Sequence, residues 1–215
     1  AVAVNCTGSG TFTLDTIARA SQPSCITWPE HTQNVGEFGD EISIHMNRKS
    51  ASFTHTVRYA FGSRTGTIAT KVETGTTWTI PLDFMDLLPA ATSGSGRIYV
   101  DTYNGSTLVG TKYTGFTARV PASVKPTCSI QVLDATDIKD TYGNLVKGLS
   151  KLLVRVNGTP AYSSPIASRS ATANGVRYTA AEFTTDILTK AGTTTVTATV
   201  TDKRGRTSAA ASASF

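Results

Sequence analysis

A chain of 215 residues with 39% apolar and only 16% charged side chains is long enough for two domain cores, and its abundance of Thr, Ser, Gly, Val and Ala is that of β-structure. Nowhere do about 18 apolar residues run together, which excludes a membrane-spanning helix, and three cysteines are an odd number, which argues against a disulfide-built fold. The net charge of +5 does not read as a nucleic-acid surface, because Arg58, Arg64, Arg97, Arg155 and Arg169 stand singly among strands and the lone basic cluster, Lys203-Arg204-Gly205-Arg206, has the form of a solvated hairpin turn.

The first run, Thr11-Phe12-Thr13-Leu14, reads as a closing strand. A phrase of Ser, Pro and Cys follows at Ser21–Ile26 and returns at Ser123–Ile130, each copy preceded by an echo of the same upstream residues. A repeat of about 100 residues matches the commonest domain size. The expected organisation is residues 1–20 as the terminal strand of a preceding module, 21–120 as a first sandwich and 121–215 as a second, together a piece of a longer multi-domain protein. Cys25 and Cys128 fall at matching positions and are expected to serve as small apolar strand residues, with Cys6 left to meet one of them or neither.

In the first module Ile42, Ile44 and Met46 alternate with polar residues, as do Phe53, Val57, Tyr59 and Phe61 with Thr54, Thr56 and Arg58. Period 2 presents one apolar face per strand. Strands over 66–72 and 76–80 follow, then a helical turn or two over 83–89 stopped by Pro89. Runs at 97–103 and 108–113 meet at Asn104-Gly105, the strongest short-range hairpin signal, for which a type I′ turn is expected. Val120 to Pro126 holds two prolines and reads as a semi-rigid linker giving a rod more than a loose tether. Beyond it lie strands at 129–133, 149–156, 168–172, 176–179, 193–201 and 206–215, with Asn174-Gly175 joining the third to the fourth. Short strands with turns about every 8 to 12 residues predict an all-β chain: two tandem immunoglobulin-like β-sandwiches preceded by a strand from an upstream module.

Tests for chemistry give no catalytic, cofactor-binding or metal residue. If the Ile42–Met46 run pairs beside the Phe53–Phe61 run, burying both apolar faces sets Ile44 opposite Val57. That register sends His45 to the polar face and His55 to the apolar one, so they do not share a metal. His55 is then a core-edge residue bonded through its ring to a neighbouring strand. Asp134, Asp137 and Asp140 lack the alternate spacing, central Gly and closing Glu of a calcium loop, and read as turn residues or caps. Asp83 and Asp86 belong to the first turn of a short helix. No nucleophile, zinc or phosphate-loop motif occurs, so the expectation is no enzyme and no cofactor. One surface stands apart: with Ile98, Val100 and Thr102 inward, Tyr99, Asp101 and Tyr103 form an outward stripe of the kind sugar rings or a partner protein use, or else an ordinary cross-strand ladder.

Several phrases together carry a resemblance. Gly8 to Ser21, Asn47-Arg48 with Ser52 to Val57, Phe61-Gly62 with Gly66 to Ala69, Tyr142-Gly143, Gly148 to Lys151 and Val200 to Arg206 resemble tail and baseplate proteins of siphophages that infect Gram-positive hosts. The resemblance spans nearly the whole chain. It implies immunoglobulin-like modules in a virion tail appendage, with a non-enzymatic structural part in tail tip, baseplate or fibre and a contribution to assembly and host attachment. The alternative it leaves open is a receptor-binding adhesin for host cell-wall carbohydrate, or a bacterial surface adhesin of the same fold. The partners implied are other tail proteins, a cell-wall carbohydrate and further copies of the chain, with no nucleic acid and no membrane insertion.

Overall fold

Strands whose side chains alternate apolar and polar have one face to bury, and two sheets packed face to face bury it. In the computed structural model, which describes residues 22–27 and 35–215, this produces four sheets in two pairs. The strands are β1 (Cys25–Thr27), β2 (Val35–Glu37), β3 (Glu41–Asn47), β4 (Phe53–Phe61), β5 (Arg64–Val72), β6 (Gly75–Thr79), β7 (Ser93–Asn104) and β8 (Thr107–Arg119), then β9 (Thr127–Asp134), β10 (Leu152–Thr159), β11 (Ile166–Ala173), β12 (Val176–Tyr178), β13 (Glu182–Thr184), β14 (Thr195–Asp202) and β15 (Ala211–Ser214). The first sandwich packs β1-β3-β6 on β2-β8-β7-β4-β5, and the second packs β13-β10-β9 on β12-β11-β14-β15. The strand order is the same in both, with β2, parallel to β8, added at one edge of the first. Each pair closes its own core, around Ile44, Val57, Phe61, Phe84, Ile98 and Phe116 in the first and Leu152, Val154, Val156, Val196 and Val200 in the second. The fold is thus the expected all-β pair of sandwiches. The strand foreseen at the start of the chain lies outside the described residues, as do Cys6 and the end of the first Ser/Pro/Cys phrase's upstream echo.

Several local expectations are corrected. β3 and β4 are not neighbours: β3 pairs with β1 and β6, while β4 pairs with β5 and β7. Their apolar faces meet across the sandwich instead of side by side. The faces themselves stand, because alternation is indifferent to partner: His45 is exposed and His55 is 1% exposed. The β7–β8 turn is not type I′. Its central residues are Gly105 and Ser106, and only Gly105 has positive φ (62°), the pattern of a II′ turn. Asn174 and Gly175, at φ 50° and 78°, do form the double-positive I′ turn between β11 and β12. Cys25 faces solvent; Cys128 alone packs as the small apolar residue expected, against the second core, and both are free thiols.

The largest correction concerns Arg204. Its turn closes as a hairpin, with Gly205 N–H donating to Asp202 O at 3.0 Å, yet Arg204 itself is 7% exposed. Its guanidinium donates to Leu88 O (2.8 Å) and Met85 O (2.7 Å) at the end of the 3-10 helix Leu82–Leu87 of the first sandwich, and to Ala161 O (2.9 Å) and Tyr162 O (2.7 Å) of the second. Arg206 donates to Val120 O at 3.2 Å, Ser163 Oγ donates to Asp86 at 2.8 Å, and the Tyr162 ring packs against the first core. Tyr162 and Ser163 take left-handed backbone angles, φ 45° and 54°, a conformation that side-chain-bearing residues hold only where surroundings enforce it. The two sandwiches are therefore joined by packing and hydrogen bonds as well as by the Pro-containing segment.

Candidate functional site

The outer face of the five-stranded sheet is set by β7. Ile98, Val100 and Thr102 are fully buried, so Tyr99, Asp101 and Tyr103 point away from the core. Register decides what lies beside them. Arg58 on β4 stands opposite Tyr99, and Tyr113 and Thr111 on β8 stand opposite Tyr99 and Asp101. Asp101 accepts two hydrogen bonds from Arg58, from Nε at 2.6 Å and Nη2 at 2.9 Å, and a third from Thr111 Oγ1 at 2.6 Å. The Arg58 guanidinium beside it holds the Asp101 carboxyl below the usual carboxylate range, and Asp101 in turn raises Arg58.

The aromatic residues continue the ladder. The Arg58 guanidinium lies 5.3 Å from the Tyr99 ring centre, Tyr99 and Tyr113 stack at 5.7 Å with a 45° tilt, and the Arg97 guanidinium lies 4.8 Å from the Tyr113 ring. Tyr99 and Tyr103 are half-buried, and Asp101 has spent its acceptors inside the sheet. Of the three residues singled out in the sequence, Asp101 is therefore a structural anchor. The accessible part is one strand over: Tyr113 is 60% exposed, and Arg97 is exposed beside it. Sequence reasoning missed Arg58, Arg97 and Tyr113 because each joins the stripe through strand pairing; Tyr113 sits at the alternating position of β8 that mirrors Tyr99 across the hairpin.

The remaining expected positions are ordinary structure. His55 bonds through Nδ1 to Val72 O and through Nε2 to Ser24 Oγ, both at 2.9 Å, linking β4 to β5 and to the segment before β1. Asp134 and Asp140 accept hydrogen bonds from Thr136 and from Tyr142 and Asn144 in their own turns. Asp83 pairs with Arg64. Among the described residues no three His, Cys, Asp or Glu side chains converge as a metal-binding group, and no helix is long and apolar enough to cross a membrane.

Fold and face together define a protein of tandem immunoglobulin-like sandwiches whose candidate site is a sheet surface. The family described as "Siphovirus protein of unknown function (DUF859)" matches residues 4–214, and the chain belongs to it. The resemblance to siphophage proteins is thereby shown. No curated protein sequence matches the chain. Among solved structures it is similar to the fibronectin(III)-like modules of Clostridium thermocellum CbhA (15% identity, 89% of this chain and 92% of that one, TM-score 0.33). It is also similar to the amphioxus IgVJ-C2 molecule (14% identity, 84% and 97%, TM-score 0.38) and to a bacterial ice-binding adhesin (16% identity, 90% and 64%, TM-score 0.31). At such TM-scores these likenesses carry nothing about function, and the sandwich assignment stands on the sheets themselves.

Proposed function

We propose that the protein is a non-enzymatic structural element of a siphovirus virion, seated in a tail appendage such as the tip, baseplate or fibre, where it contributes to assembly and host attachment. The observation that carries this reading is the joint at Arg204. A spacer must hold its ends in fixed relation, and four hydrogen bonds from one buried guanidinium to carbonyls of both sandwiches do so. Membership of a siphovirus family supports the phage assignment. The perturbed carboxylates Asp101, Asp134 and Asp140 are each engaged by neighbours within their own sheet or turn, which supports a structural role for them over acid or base work. Neighbouring tail proteins and further copies of the chain are its proposed partners.

Gold-labelled antibodies against the chain, applied to purified virions under the electron microscope, test the reading. Label at the end of the tail is expected; label confined to the capsid, or none on intact particles, overturns it. A second reading, an adhesin for host cell-wall carbohydrate, is favoured by the exposed Tyr113 ring, an aromatic platform with the Arg97 guanidinium lying over it.

A further inference from the structure

The second sandwich has two ends. The joint loops follow β10 and β14, so the loops preceding those strands lie at the opposite end, roughly 25 Å away for strands of eight residues. There the 135–151 and 185–194 loops are tied together: Gly148 N–H donates to Leu188 O at 2.8 Å, Leu188 N–H to Ser150 O at 2.9 Å, and Thr194 and Phe215 exchange main-chain bonds at 2.8 and 2.9 Å. Between them opens a cavity of about 410 Å³, within the range of small-ligand sites. Asn144, Lys147, Leu188, Lys190, Thr193 and Phe215 line it.

Its chemistry is one-sided. Two lysines face it, no acidic side chain lines it, and among the described residues neither lysine is ion-paired. Asp140 and Asp186 stand on these loops without lining the cavity: the charged Asp140 carboxylate accepts from the Asn144 main-chain N–H at 2.8 Å and side-chain amide at 3.0 Å, and Asp186 is exposed. The Phe215 ring, 45% exposed, supplies an apolar face, and the Asn144 amide and Thr193 hydroxyl supply neutral hydrogen-bonding groups. A larger trough on the outer face of β11 and β14 lacks this combination: its Arg169 and Arg177 already donate to Val156 O and Ser170 Oγ, and its floor has no aromatic ring.

We propose that this end cavity binds a phosphate-bearing sugar, the lysines taking the phosphate, Phe215 the ring and Asn144 and Thr193 its hydroxyls. The proposal deepens the host-attachment reading, and rests on it only for the source of the sugar. The direct test is an amide NMR titration of the full chain with glucose 6-phosphate, glucose and inorganic phosphate in parallel. Glucose 6-phosphate is expected to shift the amides of Lys147, Lys190 and Thr193 at about millimolar concentration, the others at least about tenfold more weakly. The double variant Lys147→Gln/Lys190→Gln is expected to weaken binding about tenfold with an unchanged melting temperature. No shift at these amides, equal shifts from phosphate alone or from glucose, or unchanged binding by the folded double variant overturns the site. A second arm addresses the source. Retention of the chain on purified host wall glycan, lost once phosphate groups are removed, places the ligand on the wall; sugar-phosphate binding without retention keeps the site and refutes host attachment through it.

Discussion

At Asp101 a carboxylate whose side chain is 9% exposed is held by Arg58 and Thr111, and the pair ties β4 to β7. Replacing it with Asn leaves the Arg58 charge without its partner, for an expected loss of about 2 kcal/mol in urea unfolding. The folded carboxyl titrates below the ordinary value of about 3.9, so its contribution is complete above about pH 4 and is lost as pH falls through the folded value. Acid unfolding of Asp101→Asn should therefore begin from a lower plateau and fall less steeply. His55 has the same sign on another scale. Burial pulls it below 6.5, more than its bond to Val72 raises it, with Arg48 lowering it further. Its contribution is full above about pH 6.5 and is lost as pH falls through the folded value, so the melting temperature should drop as pH falls below about 6.5 in the parent and markedly less in His55→Gln. Alternation alone placed His55 inside and Asp101 outside. It was silent on their partners, because Arg58 is 43 residues from Asp101 and Ser24 is 31 from His55, and only sheet register brings them together.

On β7 the neighbouring strands close tightly over Gly96. A Cβ on Gly96 would lie 2.5 Å from the Phe116 ring and 2.7 Å from Ala60 O, and the backbone oxygen has no room to retreat. Gly96→Ala should cost about 2 kcal/mol or more by calorimetry, whereas Gly115→Ala, whose added Cβ would meet nothing nearer than Gly96 O at 3.9 Å, should cost well under half as much. Strands and turns of this kind were legible where the signal is local. Asn174-Gly175 forms the turn its sequence demands, and Ile42, Ile44 and Met46 share the face their spacing requires. The partner of each strand was not legible. Short separation favoured pairing β3 with β4, but a sandwich sends consecutive strands to opposite sheets when each must cover the other's apolar face.

Over the whole molecule, the joint decides whether two sandwiches act as one body. The Pro-containing segment predicts stiffness, and the stronger cause is Arg204, which by its local sequence belongs to a solvated turn. Nothing local marks it as buried, because its acceptors are main-chain carbonyls, two of them 116 and 119 residues away. The division at Val120 to Pro126 is a proposal that cutting the chain addresses: a fragment of residues 121–215 should retain a cooperative melt, since its core is closed by its own strands. Arg204→Ala should lower the stability of the intact chain by about 3 kcal/mol, leaving four carbonyls, that of Met85 buried and the other three half-buried, without their donor. Small-angle X-ray scattering of the parent chain beside Arg204→Ala tests the fixed joint most directly. The parent should fit one arrangement of the two sandwiches and the variant only a spread of arrangements; a parent curve that already demands the spread contradicts the account.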